Sequence, residues 1–292
     1  MGASIPLSLR QPAVRDTRQR GLVDLRISVI DQCNFRCPYC MPADAYPQHF
    51  PFLKADQRLS FDEIERLVRV FVRLGVRKLR LTGGEPLLRR DLPTLVRRLA
   101  AIPGVDDIAM TTNGVLLPRH AQALREAGLQ RVTLSLDSLD PQTFARLSGG
   151  RGQLDQVLAG LAAAEAAGFA SIKLNCVVMR GINDHEVVSM VERFRATPHV
   201  LRFIEFMDVG TLNQWQATSV VPSAELRQRI EARWPLQALP PRHPGEVATR
   251  YAFADGAGEI GFISSISAPF CGGCTRARLA ADGQLFTCLF AA

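Results

Sequence analysis

Six short apolar, β-branched runs alternate with amphipathic stretches along most of this chain, and that alternation limits the fold more than any other feature. The runs cover residues 25–30, 78–82, 107–111, 132–136, 172–178 and 201–207. Between them lie segments with helical spacing of apolar residues, such as 60–74, 155–167 and 184–196. In the first of these, Ser60 and Glu63 stand at capping-box spacing before a stripe of Ile64, Leu67, Val68 and Phe71. Strands that alternate with helices build βα units and a parallel sheet. Six units predict an α/β fold, an incomplete (βα)6 version of the TIM-like barrel, with its active site at the carboxyl ends of the strands.

From about residue 210 the alternation stops. Residues 235–244 are Pro-rich, 251–253 and 259–263 read as short strands, and 277–288 reads as a hairpin turning at Asp282-Gly283. The expected organisation is an N-terminal extension (1–21), a partial barrel (22–210) and a C-terminal region (211–292) that covers the barrel's open side. No run of eighteen apolar residues occurs and residues 1–20 are polar, so a soluble, cytoplasmic protein with no membrane partner is expected. The formal charge of +7 points to an anionic partner. An odd count of seven cysteines argues against a disulfide framework and for metal ligation.

Three of those cysteines, Cys33, Cys37 and Cys40, follow the first apolar run at C-x3-C-x2-C spacing. One loop of this kind wraps a compact metal centre. Cubane clusters take four thiolates, so three leave one iron without a protein ligand, where a small molecule can chelate. A structural zinc site would need a fourth ligand, and the loop holds no further Cys or His. The loop resembles the signature of radical S-adenosylmethionine enzymes. That resemblance implies that S-adenosylmethionine binds the open iron and is cleaved by one electron to a 5′-deoxyadenosyl radical, with no side chain acting as catalytic acid or base.

Other strand ends carry polar groups that a buried core would not choose. Thr82-Gly83-Gly84-Glu85-Pro86 follows the second run, Thr111-Thr112-Asn113-Gly114 the third, and Ser135-Leu136-Asp137 ends the fourth. Paired glycines let backbone approach a ligand closely, and a carboxylate accepts from an ammonium group. A second triad, Cys271, Cys274 and Cys288, has C-x2-C-x13-C spacing. Zinc-ribbon spacing is similar, but a closed zinc site would have to recruit Cys176 from an apolar strand, so a second cluster with an open iron fits the count better. Arg276 and Arg278, one residue apart after Cys274, share one face of a strand and offer forked donors to a phosphate or a base edge.

Together the motifs resemble the GTP 3′,8-cyclase family, which carries out the first step of molybdenum-cofactor (molybdopterin) biosynthesis. The resemblance implies two [4Fe-4S] clusters, S-adenosylmethionine as cofactor, and a GTP held between the clusters for conversion to 3′,8-cyclo-7,8-dihydroguanosine 5′-triphosphate. It implies cluster 1 on Cys33, Cys37 and Cys40 and cluster 2 on Cys271, Cys274 and Cys288. It further assigns S-adenosylmethionine contacts to Tyr39, Gly83, Gly84, Glu85, Ser135 and Met207. GTP contacts fall to Arg26, Lys78, Arg80, Thr111, Lys173, Arg202, Arg276 and Arg278. An electron donor and the downstream cyclic pyranopterin monophosphate synthase are the implied partners, a homodimer is compatible with the pattern, and nucleic acid is not expected. Family members usually continue past the third cysteine of cluster 2 with a helical tail ending in paired glycines, whereas this chain stops at Ala292. Cluster assembly and S-adenosylmethionine cleavage are expected without that tail, and efficient cyclisation is tied to it. Two other readings fit parts of the pattern: a radical enzyme with an auxiliary cluster acting on a peptide, and a zinc-ribbon nucleic-acid-binding protein.

Overall fold

A computed structural model describes residues 14–209, 211–243 and 245–290. Most of the expected N-terminal extension (residues 1–13), the boundary residue Gly210 and the chain end at Ala292 lie outside the described residues. Each of the six apolar runs forms a strand: β1 (Asp24–Ser28), β2 (Lys78–Thr82), β3 (Asp107–Thr112), β4 (Arg131–Ser135), β5 (Lys173–Val178) and β6 (Val200–Glu205). Helices α1 (Phe61–Arg73), α2 (Leu92–Ala100), α3 (Leu117–Glu126), α4 (Pro141–Leu147), α5 (Leu154–Ala166) and α6 (Val187–Phe194) connect them. The capping box starts α1: the Ser60 hydroxyl accepts from the Glu63 N–H at 3.2 Å and Glu63 accepts from the Ser60 N–H at 2.8 Å. The segment expected as one helix over 184–196 begins instead as a 3-10 turn, Asp184–Glu186, before α6. Glu186 there turns inward to accept from the Ser138 hydroxyl and the Leu139 and Asp140 N–H groups.

The six strands pair in parallel and in sequence order. Alternation divides their side chains: Leu25, Ile27, Leu79, Leu81, Ile108, Met110, Leu174 and Phe203 are buried against the helices. Burying each such side chain contributes about 1.5–3 kcal/mol, which fixes the register and turns the intervening residues to the concave face.

The C-terminal region adds α7 (Ser223–Glu231), β7 (Leu236–Leu239), β8 (Thr249–Phe253), β9 (Glu259–Ile263), β10 (Arg276–Leu279) and β11 (Leu285–Phe286). Its strands flank the barrel's open side without closing it. They extend both edges, giving the order β11-β10-β1-β2-β3-β4-β5-β6-β9-β8-β7. β10 pairs parallel to β1 and β9 pairs parallel to β6, so both ends of the six-stranded core gain the backbone partners that an edge strand lacks. The two ends of the sheet do not meet, and the barrel remains incomplete.

Close packing also seats the loop after β3. A Cβ added at Gly160 of α5 would lie 2.1 Å from the Gly114 carbonyl oxygen, far inside van der Waals contact with backbone that cannot yield cheaply. Gly160→Ala is therefore expected to destabilise the fold by about 1–3 kcal/mol, read as a lower melting temperature by circular dichroism; an unchanged melting temperature would mean that α5 does not rest on this loop.

Candidate active site

The loop carrying Cys33, Cys37 and Cys40 leaves the carboxyl end of β1 and is locked to the loop after β2. Gly84 N–H donates to the Ile30 carbonyl at 2.7 Å and Glu85 N–H to the Gln32 carbonyl at 2.9 Å. A Cβ at Gly83 or Gly84 would meet those carbonyl oxygens at 2.4 and 2.3 Å, so only glycine permits the approach. Glu85 is buried, and its carboxylate accepts from the Leu87 N–H, the Thr112 hydroxyl and the Asn113 N–H at 2.7–3.0 Å. It thereby ties the ends of β2 and β3 together, which the sequence reading, casting it as an ammonium acceptor, did not anticipate. Roughly one of a carboxylate's four acceptor sites is left for a ligand.

These loops enclose a cavity of about 270 Å³ lined by all three cysteines with Tyr39, Gly83, Gly84, Glu85, Thr111, Ser135 and Asp137. Burial pushes all three thiols up, Cys33 to about 11, so the triad ionises only against a positive centre. Among the described residues no three His, Cys, Asp or Glu side chains are placed to hold one metal ion. Three thiols distributed around a cavity suit a polynuclear cluster, whose irons are spread in space, and the donor set is all sulfur. The Tyr39 hydroxyl donates to Asp137 Oδ2 at 2.5 Å, and Asp137 Oδ1 accepts from the Val177 N–H at 2.8 Å. Burial raises the Asp137 carboxyl to about 6 against those two bonds. Met207 lies outside the cavity wall; Asn213 Nδ2 donates at 3.0 Å to its carbonyl and to that of Tyr39.

Below this cavity the concave face is basic. Arg278, Arg26 and Arg80 stand in register across β10, β1 and β2. Arg80 donates to the hydroxyls of Thr111 and Thr133 at 3.1 Å, and Arg202 donates to Asn175 Oδ1 at 2.7 and 3.0 Å. Arg26 Nε is buried with no partner. Among the described residues no carboxylate forms an ion pair with Arg26, Arg80, Lys173, Arg202 or Arg278. Burial, reinforced by Arg80, Arg278 and Arg276, lowers Arg26 to about 9. Burial with Arg202, Arg131 and Arg80 nearby lowers Lys173 to about 7, and Arg202 is held at about 9 by burial beside Arg80 and Arg131. Lys78 is different: its register partners are Asp24 and Asp107, and Asp107 also pairs with Arg131. Sequence reading missed Arg131 because it precedes the apolar run it belongs to, and missed Asn175 because it sits inside one.

The second triad brackets the β10–β11 hairpin. Cys271 and Cys288 are exposed, Cys274 is half-buried, and Arg20 Nη1 donates to the Cys271 carbonyl at 2.8 Å. Arg276 is buried with its guanidinium 5.2 Å from the Phe270 ring centre, donating to the Gly245 carbonyl at 3.3 Å. Cys274 precedes the amino end of β10, whereas the first triad follows the carboxyl end of β1, which runs parallel beside it. The two triads therefore flank opposite ends of one strand pair, itself roughly 15 Å long at about 3.3 Å per residue, with the arginine row between them.

A parallel βα sheet with a cysteine triad at its strand ends defines a radical S-adenosylmethionine enzyme, a class that carries a [4Fe-4S] cluster. The Radical SAM superfamily pattern matches residues 27–194 and the Molybdenum Cofactor Synthesis C pattern residues 199–292. Within that class the chain belongs to the GTP 3′,8-cyclase family. It is 63% identical over 278 residues to the GTP 3′,8-cyclase of Xanthomonas campestris pv. campestris strain 8004, covering 95% of this chain and 82% of the relative. The Acidothermus cellulolyticus enzyme of the same name is 56% identical (97% and 78% covered), and that of Staphylococcus carnosus 45% (95% and 81%). Among solved structures, Streptococcus suis SuiB bound to S-adenosylmethionine superposes with a TM-score of 0.68 at 15% identity, over 91% of this chain and 60% of that one. That likeness concerns the fold. Among the described residues no helix is long and apolar enough to cross a membrane.

The depressed Lys173 makes stability pH-dependent. Between about 7 in the folded chain and the ordinary 10.5, unfolding takes up a proton at this side chain, so stability rises with pH across that window. Without nucleotide, Lys173→Met is expected to raise the melting temperature near pH 7 and to flatten its rise toward pH 9; a slope equal to wild type would remove Lys173 as its source.

Proposed function

We propose that the chain converts GTP to 3′,8-cyclo-7,8-dihydroguanosine 5′-triphosphate, the first step of molybdenum-cofactor biosynthesis, with the nucleotide held on the basic face between the two triads. The observation that carries this reading is the row of half-buried arginines, unpaired by carboxylates among the described residues, that lies between two cysteine triads at opposite ends of parallel strands. A polyanion is the partner those side chains lack. Arg26, Arg80, Lys173 and Arg202 would hold the phosphates, Arg80 oriented by Thr111 and Thr133 and Arg202 by Asn175. Arg276 and Arg278, beside the second triad, would turn the guanine end toward it. Lys78, already flanked by Asp24 and Asp107, would contribute least.

Cys33, Cys37 and Cys40 would hold one [4Fe-4S] cluster and Cys271, Cys274 and Cys288 a second. When bound, the first cluster and S-adenosylmethionine would supply the one-electron chemistry that takes the C3′ hydrogen, and joining C3′ to C8 would then need one further electron, from the external donor, and a proton. The chain's own part is to position and to exclude water. Tyr39, fixed by Asp137 and by Asn213, shapes the wall of the cavity for S-adenosylmethionine, and Gly83 and Gly84 present backbone to it. Ser135 lines the same cavity, and Met207 would reach it only from beyond the wall. We divide the chain into the barrel (22–210) and the auxiliary-cluster region (211–292), served by an electron donor and followed by cyclic pyranopterin monophosphate synthase.

Anaerobic reconstitution is expected to give about eight irons and eight sulfides per chain. Supplied with reductant, S-adenosylmethionine and GTP deuterated at C3′, the enzyme is expected to place the deuterium in 5′-deoxyadenosine; deuterium-free 5′-deoxyadenosine with GTP unchanged would overturn the reading. Arg26→Met is expected to weaken GTP binding at least tenfold, about 1.4 kcal/mol, measured by equilibrium dialysis, with iron content at the wild-type level.

A further inference from the structure

One buried cation belongs to neither the basic face nor any ion pair. Arg36, between Cys33 and Cys37, is 4% exposed. Its Nη1 donates at 2.8 Å to the carbonyls of Cys33 and Phe35 and lies 3.6 Å from Met41 Sδ, and its Nε donates at 2.9 Å to the Tyr46 carbonyl. The guanidinium sits 5.3 Å from the centre of the Phe52 ring, which packs with Phe50 and Tyr46 in an aromatic trio. From behind, the Arg36 N–H donates to the Ser148 carbonyl at 3.0 Å, and a Cβ at Gly149 would stand 2.2 Å from the Arg36 carbonyl oxygen. The side chain is therefore clamped, not mobile.

What it lacks is a counter-charge. Carbonyl oxygens accept from its Nε and Nη1 and a ring face lies against the guanidinium, but among the described residues no carboxylate pairs with it. The guanidinium is instead tied directly to the cysteine loop, through the carbonyl of Cys33. An ionised arginine in such a place is costly without an anion, and an anion bound nearby would lower that cost.

We infer that Arg36 is the counter-cation of the first cluster: a positioning residue whose fixed charge offsets the thiolates and holds the cluster's reduction potential up. This rests on the proposed placement of a [4Fe-4S] cluster on Cys33, Cys37 and Cys40. With three thiolates, such a cluster becomes one unit more negative when it accepts one electron from an external reductant, with no bond made or broken and no proton required. A buried cation clamped to the same loop favours that more negative state.

The test is a redox titration, followed by electron paramagnetic resonance, of the reconstituted full chain, using the cluster signal that responds to S-adenosylmethionine. Wild type reports on the underlying reading: no such signal would sink the cluster placement itself, independently of Arg36. Given that signal, Arg36→Gln is expected to leave at least tenfold less reduced cluster at a fixed potential, a fall of ~59 mV for one electron. Arg36→Lys, which keeps the charge but loses the fork, is expected to stay near the wild-type potential. A Gln variant that assembles no cluster, beside a Lys variant loaded at the wild-type potential, would equally support the charge role. Wild-type potential in Arg36→Gln overturns it, as does a Lys variant that is empty or as shifted as the Gln variant.

Discussion

Parallel pairing of β10 with β1 is the contact on which the rest of the active site depends. It joins the last hairpin of the described chain to the first strand, and because the two run the same way, a triad after one and a triad before the other face each other along the sheet. An antiparallel pairing would have put both triads at the same end. The register adds the second constraint, setting Arg278 beside Arg26 and Arg26 beside Arg80, so that the strip between the triads is continuous positive charge.

That strip is an expensive thing to fold around nothing. Arg26, Arg202 and Lys173 all titrate below their ordinary values because burial and mutual repulsion disfavour their charge, and hydroxyl and amide dipoles from Thr111, Thr133 and Asn175 only partly offset it. The apolar layer behind the sheet offsets that cost, and a bound triphosphate would lower it. At the foot of the strands the charge is more balanced, because Arg131 pairs with Asp107 and Lys78 stands in register between Asp24 and Asp107.

Much of this was legible in the sequence. The six core strands follow from apolar alternation, α1 from its capping box, and both triads from spacing, because each is a local pattern with one physical cause. What escaped was non-local. Nothing in residues 259–263 or 276–279 says which edge each strand will join, so the sequence placed the C-terminal region at the barrel's opening without showing that it extends the sheet at both ends. Glu85 was read for its charge, but its bonding to Thr112 and Asn113 depends on two loops that meet only once β2 and β3 are paired. Arg36 stood in plain view inside the cysteine motif, and its significance came only with burial and the missing carboxylate.

The placement of β9 and β10 on the two edges also sets an order of events. As the chain leaves the ribosome, the six central strands emerge with both outer strands bare, and they stay so until β9 and β10 have been made. During that interval β1 and β6 offer open backbone to any neighbouring chain. The nascent barrel is thus most prone to misassociate when it is nearly complete, and one late hairpin, laid along β1, ends the exposure on that side as it brings the second triad into place.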